Sequence, residues 1–203
     1  MPEDDYYERP LFGGAISSCF PLRFQDVSEI REVPDHQEAF VDSNRDESLI
    51  FELLDFKREI QDSKSAVWFL HDLALEQDAE GSMVHEYSGI VEAVGLRYRD
   101  APVIYTTAIG EMAISRGKQE RETQNIVRVY VANLRLKEVG TDVLITACEP
   151  ISKNPLGGSS RMVGDDGSTA SFAASGYLPV SEVFKLAVTS FKVHDWNLFG
   201  AGT

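Results

Sequence analysis

The side chains that could act on a substrate are few in this sequence. Four histidines occur, His36, His71, His85 and His194. No two stand at the i, i+4 spacing by which a helix presents a pair to zinc. His71–Asp72 and His194–Asp195 are adjacent pairs, and neighbours on a strand point to opposite faces, so neither forms a base with its orienting carboxylate. No G-x-S-x-G nucleophile turn, phosphate-cradling G-x-x-x-x-G-K or dinucleotide G-x-G-x-x-G is present. Cys19 and Cys148 have no further ligand at zinc spacing and read as two small buried hydrophobes. Spacing therefore assigns no catalytic residue, no metal ligand and no cofactor. It leaves open a site assembled from distant residues.

What the chain has in excess is carboxylate. Its formal net charge is −14 and its isoelectric point is near 4.6. Such a chain is repelled by nucleic-acid phosphate and anionic membrane, and is steered toward a basic protein surface. The most informative segment is residues 46–60. Leu49, Ile50, Leu53, Leu54, Phe56 and Ile60 recur at helical spacing, which predicts a helix with one apolar face. Ser48, Glu52, Asp55 and Glu59 then form a stripe nearly opposite, with no Lys or Arg among them, although like charges at this spacing repel. Phe51 is predicted to point outward beside them. An exposed aromatic among unpaired carboxylates is the composition of a docking patch. A solvated helix face with one stray aromatic is the other reading. Asp26, Asp35 and Glu38 form a second acidic group at turns and strand entries, where solvated turn carboxylates are again the alternative.

The elements that must position these residues can be sketched. Residues 1–9 read as a flexible acidic tail, Leu11 to Ser18 as a short edge strand bent at Gly13-Gly14, and Asp26 to Ile30 as a helical turn capped by Asp26. Gln37 to Asp42 alternates as a strand, and 66–75 is predicted as a strand. Residues 83–95 are ambiguous between helix and strand. Val103 to Ser115 is rich in β-branched residues and reads as a strand. Asn125 to Lys137 and Asp142 to Ala147 make a hairpin through Gly140. The Gly- and Ser-rich stretch 151–176 is a long loop. Val180 to Val193 is an amphipathic helix with Val183, Phe184, Ala187, Val188 and Phe191 inward. Strands in succession, with helices placed to cover them, imply one α+β domain over 10–203 with an antiparallel sheet.

At 203 residues with 43% hydrophobic content, the chain can bury a sizeable core. No apolar run approaches the roughly 20 residues that span a bilayer. The acidic start resembles neither a secretory signal nor a transit peptide. The expected location is therefore nucleus and cytoplasm, and the expected state is a monomer that binds neither nucleic acid nor membrane.

Pro10-Leu11-Phe12-Gly13-Gly14-Ala15, Val33-Pro34-Asp35-His36-Gln37-Glu38 and Ser48-Leu49-Ile50-Phe51-Glu52-Leu53-Leu54-Asp55 closely resemble the Mog-type Ran guanine-nucleotide release factors. So do Leu134-Arg135-Leu136 with Thr141-Asp142, and the ending His194-Asp195-Trp196-Asn197-Leu198-Phe199-Gly200. The resemblance follows the same order over nearly the whole chain, but weakly over 76–100. It does not extend to the tail or to loop 151–176. It implies an α/β/α sandwich, a central antiparallel sheet with helices on both faces, shared with PsbP-like proteins. It also implies binding to the GTPase Ran, release of its nucleotide, a part in nuclear protein import, and no catalysis. The Ran-binding residues it implies are Asp26, Asp35, Glu38, Glu52 and Asp55, to which the predicted stripe adds Phe51 and Glu59. Two other readings remain: a PsbP-like photosynthetic lumen subunit, which would need a transit peptide, and a small ligand-binding or hydrolytic domain built around a deep apolar pocket.

Overall fold

A computed structural model describes residues 4–79, 83–98, 101–114, 125–151 and 176–200. The strands are β1 (Tyr6–Leu11), β2 (Ile16–Pro21), β3 (Gln25–Asp26), β4 (Gln37–Asp42), β5 (Glu47–Asp55), β6 (Val84–Tyr98), β7 (Ala101–Ile114), β8 (Asn125–Leu136), β9 (Thr141–Pro150) and β10 (Lys192–Val193). The α-helices are α1 (Ser65–Glu76) and α2 (Val180–Thr189). Seven strands form an antiparallel sheet in the order β3-β4-β5-β9-β8-β7-β6, and a small sheet has the order β1-β2-β10.

The β8–β9 hairpin follows from its sequence. Val129 and Val131 face one side and Tyr130 and Ala132 the other, and Gly140 closes the turn at φ 63°, where a side chain would be strained. The alternation feeds two cores. On one face Ala66, Phe69, Leu70 and Ala74 of α1 pack on Ala108, Met112, Val129, Val131 and Leu144. On the other, Val183, Phe184, Ala187 and Val188 of α2 join Ile16 and Phe20 of β2 against Leu49, Phe51, Ala132 and Ile145. The central sheet is thus covered by a helix on each face, as the sequence implied.

Two elements exchange identity relative to expectation. Residues 47–55 are a strand, not a helix. This strand lies between β4 and β9, fully buried on the face of Leu49 and Phe51 and half-buried on the face of Ile50 and Leu54, so its apolar residues fall on both faces and mimic helical spacing. Phe51 therefore points into the core at 0% exposure, with its ring 5.6 Å from Phe20 and 6.2 Å from Phe40. Conversely, 66–75 belongs to a helix, because Ala66, Phe69, Leu70 and Ala74 fall on one helical face.

The tail is shorter than expected. Tyr6–Leu11 is a strand, and the Asp4 carboxylate accepts hydrogen bonds from Arg23 Nε at 3.1 Å and Leu178 N at 3.0 Å. Residues 83–95 fall within β6. Cys19 and Cys148 are free, half-buried thiols. Apart from Ile151 and Gly176, the long loop 151–176 lies outside the described residues.

Candidate functional site

The acidic residues gather where β4 begins and β5 ends. Gln37 pairs with Glu52 in register, and the Gln37 Nε2 amide donates to Glu52 Oε1 at 2.9 Å. One residue beyond, Leu53 N donates to the His36 carbonyl at 2.8 Å, which places Asp35 and His36 at the same end of the sheet as Glu52 and Asp55. Glu52 lies on the face covered by α1. Together with Asp55, His36, Lys57 and the helix residues Asp72 and Glu76, it lines a cleft between strand and helix. Glu52, Asp55, Asp72 and Glu76 form no ion pair within the described residues. Burial pushes the Glu52 carboxyl above its ordinary value; the Gln37 hydrogen bond and His36 oppose this, and the charge of Glu76 adds to it. Asp35, Asp55 and Glu59 are exposed, Glu59 in the turn after β5.

Adjacent strand positions face opposite ways, so Glu38, paired with Phe51, lies on the other side of the sheet from Glu52. There its carboxylate accepts a hydrogen bond from the backbone N–H of Phe12. Phe12 has φ 49°, a left-handed conformation that opens the Phe12-Gly13-Gly14 turn. Burial raises the Glu38 carboxyl pKa, the Phe12 N–H opposes this, and neighbouring Asp26 adds to it. Asp26 itself is exposed on the edge strand β3, and its Oδ1 caps the following turn by accepting from Ser28 N at 2.8 Å. The predicted residues therefore wrap around one end of the sheet. Glu52 and Asp55 line one cleft there and Asp35 precedes its lining residue His36, Asp26 and Glu38 neighbour each other on the opposite face, Phe51 is inside, and Glu59 stands apart in the turn after β5. Asp72 and Glu76 escaped the sequence reading because their segment was read as a strand. Their i, i+4 spacing on a helix would have revealed them.

What fixes the segment after Asp55 is a buried pair. Arg135 Nε donates to Asp142 Oδ1 at 3.1 Å, and Lys57 N donates to Asp142 Oδ2 at 2.8 Å. The same guanidinium donates to the carbonyls of Lys57 and Ile60 and lies 4.1 Å over the Phe56 ring. Backbone polar groups of 56–60 thus find partners within the fold, and the chain carrying Asp55 and Glu59 is held against the β8–β9 hairpin.

A hydrolytic arrangement was one of the alternatives. The Ser17 hydroxyl lies 2.7 Å from His194 Nε2 and donates to Glu8 Oε1 at 2.6 Å. With its proton committed to Glu8, the serine accepts from His194, so the imidazole is not positioned to remove that proton. Ser17 is also buried, and the cluster serves to join β1, β2 and the segment after β10. No group of three or more His, Cys, Asp or Glu able to hold a metal ion occurs among the described residues.

Comparison with known proteins identifies the family. The family model described as "Ran-interacting Mog1 protein" matches residues 9–150. The human protein named Ran guanine nucleotide release factor is 32% identical over 197 residues, covering 94% of this chain and 95% of its own. Its zebrafish counterpart is 35% identical over 152 residues, covering 75% and 82%. The crystal structure of the Saccharomyces cerevisiae Ran-binding protein Mog1p superposes with a TM-score of 0.66 at 26% identity, covering 98% of this chain and all of that one. By the family match over residues 9–150 and the identity to these relatives over most of its length, the chain belongs to the Ran-interacting Mog1 protein family.

Proposed function

We propose that this chain binds Ran and promotes release of its guanine nucleotide, acting as a regulator of the GTPase with no covalent chemistry of its own. The observation that carries the reading is the half-buried Glu52, held by a neutral amide beside Asp55, Asp72 and Glu76 in a cleft where none of these carboxylates meets a cation within 4 Å among the described residues. A carboxylate desolvated without a counter-ion is costly in the free protein and is satisfied by a partner's basic group. A GTPase holds its nucleotide through a P-loop lysine and magnesium, so its empty state exposes positive charge that the phosphates had neutralised. Glu52, with Asp55 beside it, supplies a carboxylate to that region and lowers the cost of the empty state. Asp26, Asp35 and Glu59 steer and dock from the rim, where exposed charges contribute about 0.2–1 kcal/mol each. Glu38 contributes by holding the Phe12-Gly13-Gly14 turn.

The names of relatives support the setting. The budding-yeast relative, 28% identical over 205 residues, is named nuclear import protein MOG1. A chain of net charge −14 working on a nuclear transport GTPase fits a monomer in nucleus and cytoplasm with no affinity for nucleic acid or membrane. The test is the rate at which labelled nucleotide leaves Ran, with wild type and with Glu52→Lys. Wild type accelerates release and the folded variant does not. Equal acceleration by Glu52→Lys, with circular dichroism and melting temperature unchanged, would overturn the reading.

A further inference from the structure

The small sheet has a free edge. Strand β1 pairs only with β2, so its other side carries no strand among the described residues. Leu22 N donates to the Asp5 carbonyl at 3.0 Å, which fixes the phase of the ladder. In an antiparallel pair, alternate residues direct both backbone groups to the partner. Asp5, Tyr7 and Arg9 therefore bond toward β2, while Tyr6 and Glu8 turn N–H and C=O outward. Pro10, which has no N–H, takes the next outward position, where its missing donor breaks no ladder bond.

Exposed apolar side chains concentrate at the start of this edge. Tyr6 and Tyr7 are 54% and 56% exposed, and Leu22, across the ladder from Asp5, is 53% exposed. Tyr6 and Tyr7 share a groove with Asp4, Asp5 and Tyr177. Asp4 is committed to Arg23, but Asp5 forms no ion pair within the described residues. Outward-facing backbone, tyrosine faces and a free carboxylate suit one kind of occupant. Backbone pairs with an extended chain, while tyrosine rings and Asp5 attract cations. A second copy of this chain would bring another net charge of −14, which argues against self-pairing.

We infer that the β1 edge is a second docking surface, distinct from the Glu52 cleft, which adds an extended basic segment of a partner protein as a further strand. The probe is a capped peptide of alternating lysine and valine, titrated into the full-length 15N-labelled protein. Strand addition slows hydrogen exchange at the Tyr6 and Glu8 amides and leaves those of Gln37 and Glu52 unchanged. Tyr6→Ala with Tyr7→Ala weakens binding severalfold. Glu8→Pro, checked for folding by its amide spectrum, weakens it roughly tenfold by deleting one intermolecular hydrogen bond. A peptide with glutamate in place of lysine does not bind. Peptide shifts confined to the Glu52 cleft, unchanged exchange at Tyr6 and Glu8 with bound peptide, or no binding at all would each overturn the proposal. None of these outcomes bears on nucleotide release from Ran, which is read separately.

Discussion

Glu52 and Gln37 face each other across the β4–β5 ladder at 2.9 Å, and the amide holds the carboxylate in place without cancelling its charge. A lysine at position 37 would anchor Glu52 equally well and silence it. Glu52→Gln keeps the shape and removes the charge. It should abolish most of the acceleration of nucleotide release while leaving stability at neutral pH unchanged or raised by roughly 0.5 kcal/mol or less, read by urea titration.

The same residue sets a pH dependence. Its folded pKa lies above the ordinary 4.5, so the folded chain holds the proton more tightly than the unfolded chain. Its contribution to stability therefore falls as pH rises from about 4.5 through the raised folded value, then levels off. Glu52→Gln should flatten that part of the stability profile relative to wild type. Binding to a basic partner should run the other way, strengthening over the same window as the carboxylate ionises. Titration calorimetry across that range checks both the trend and the proton released on binding.

Asp142 is fully buried and holds both Arg135 and the Lys57 amide. Asp142→Ala leaves the buried Arg135 guanidinium with only the half-exposed Asp62 as charge partner and the Lys57 amide without its acceptor, and should cost about 3–5 kcal/mol, measured by urea unfolding. Replacing both residues with apolar ones of similar volume should recover much of that. Where the folded population suffices, the double variant should still release nucleotide less well, because residues 56–60 lose their anchor.

Phe51→Ala should destabilise by about 3–5 kcal/mol, the cost of emptying a packed aromatic site. Phe51→Leu should fold and should release nucleotide normally. A release defect in folded Phe51→Leu would mean that the ring acts at the surface after all.

Glu38→Ala removes the acceptor for the Phe12 N–H and should cost about 1–3 kcal/mol. Glu38→Gln retains an oxygen in the same place and should restore most of the stability. If Glu38 instead touches Ran through its charge, Glu38→Gln will be stable yet defective in binding, as surface plasmon resonance would show.

Much of the fold was legible because local signals (alternation, β-branched runs, a glycine turn and helical spacing) mark individual elements. The β8–β9 hairpin, β4, β7 and α2 all emerged from such patterns. Residues 47–55 failed because apolar residues fall on both faces of the strand, and Leu49-Ile50-Leu53-Leu54 satisfies a helix equally well. Glu52 and Asp55 were singled out as candidates through family resemblance and unpaired charge rather than through a correct geometry, and the fold places both in one cleft. Phe51 was misplaced for the same reason that 47–55 was misread. The Gln37 amide is a cross-strand neighbour of Glu52 that no local spacing announces, whereas the i, i+4 spacing of Asp72 and Glu76 is hidden only by reading their segment as a strand.

The central sheet also dictates an order of assembly. β5 has β4 as a local neighbour, but its other partner, β9, follows some 86 residues later, from Asp55 to Thr141. Pairing over such a separation is slow, because the chain between must close a large loop before the contact forms. A nascent chain released before β9 has emerged presents Glu52 on a hairpin with one open edge, and without Asp142 to fasten residues 56–60. The acidic cleft is therefore among the last parts of the molecule to mature, and a chain that stops short of β9 lacks the residues of that strand that line it.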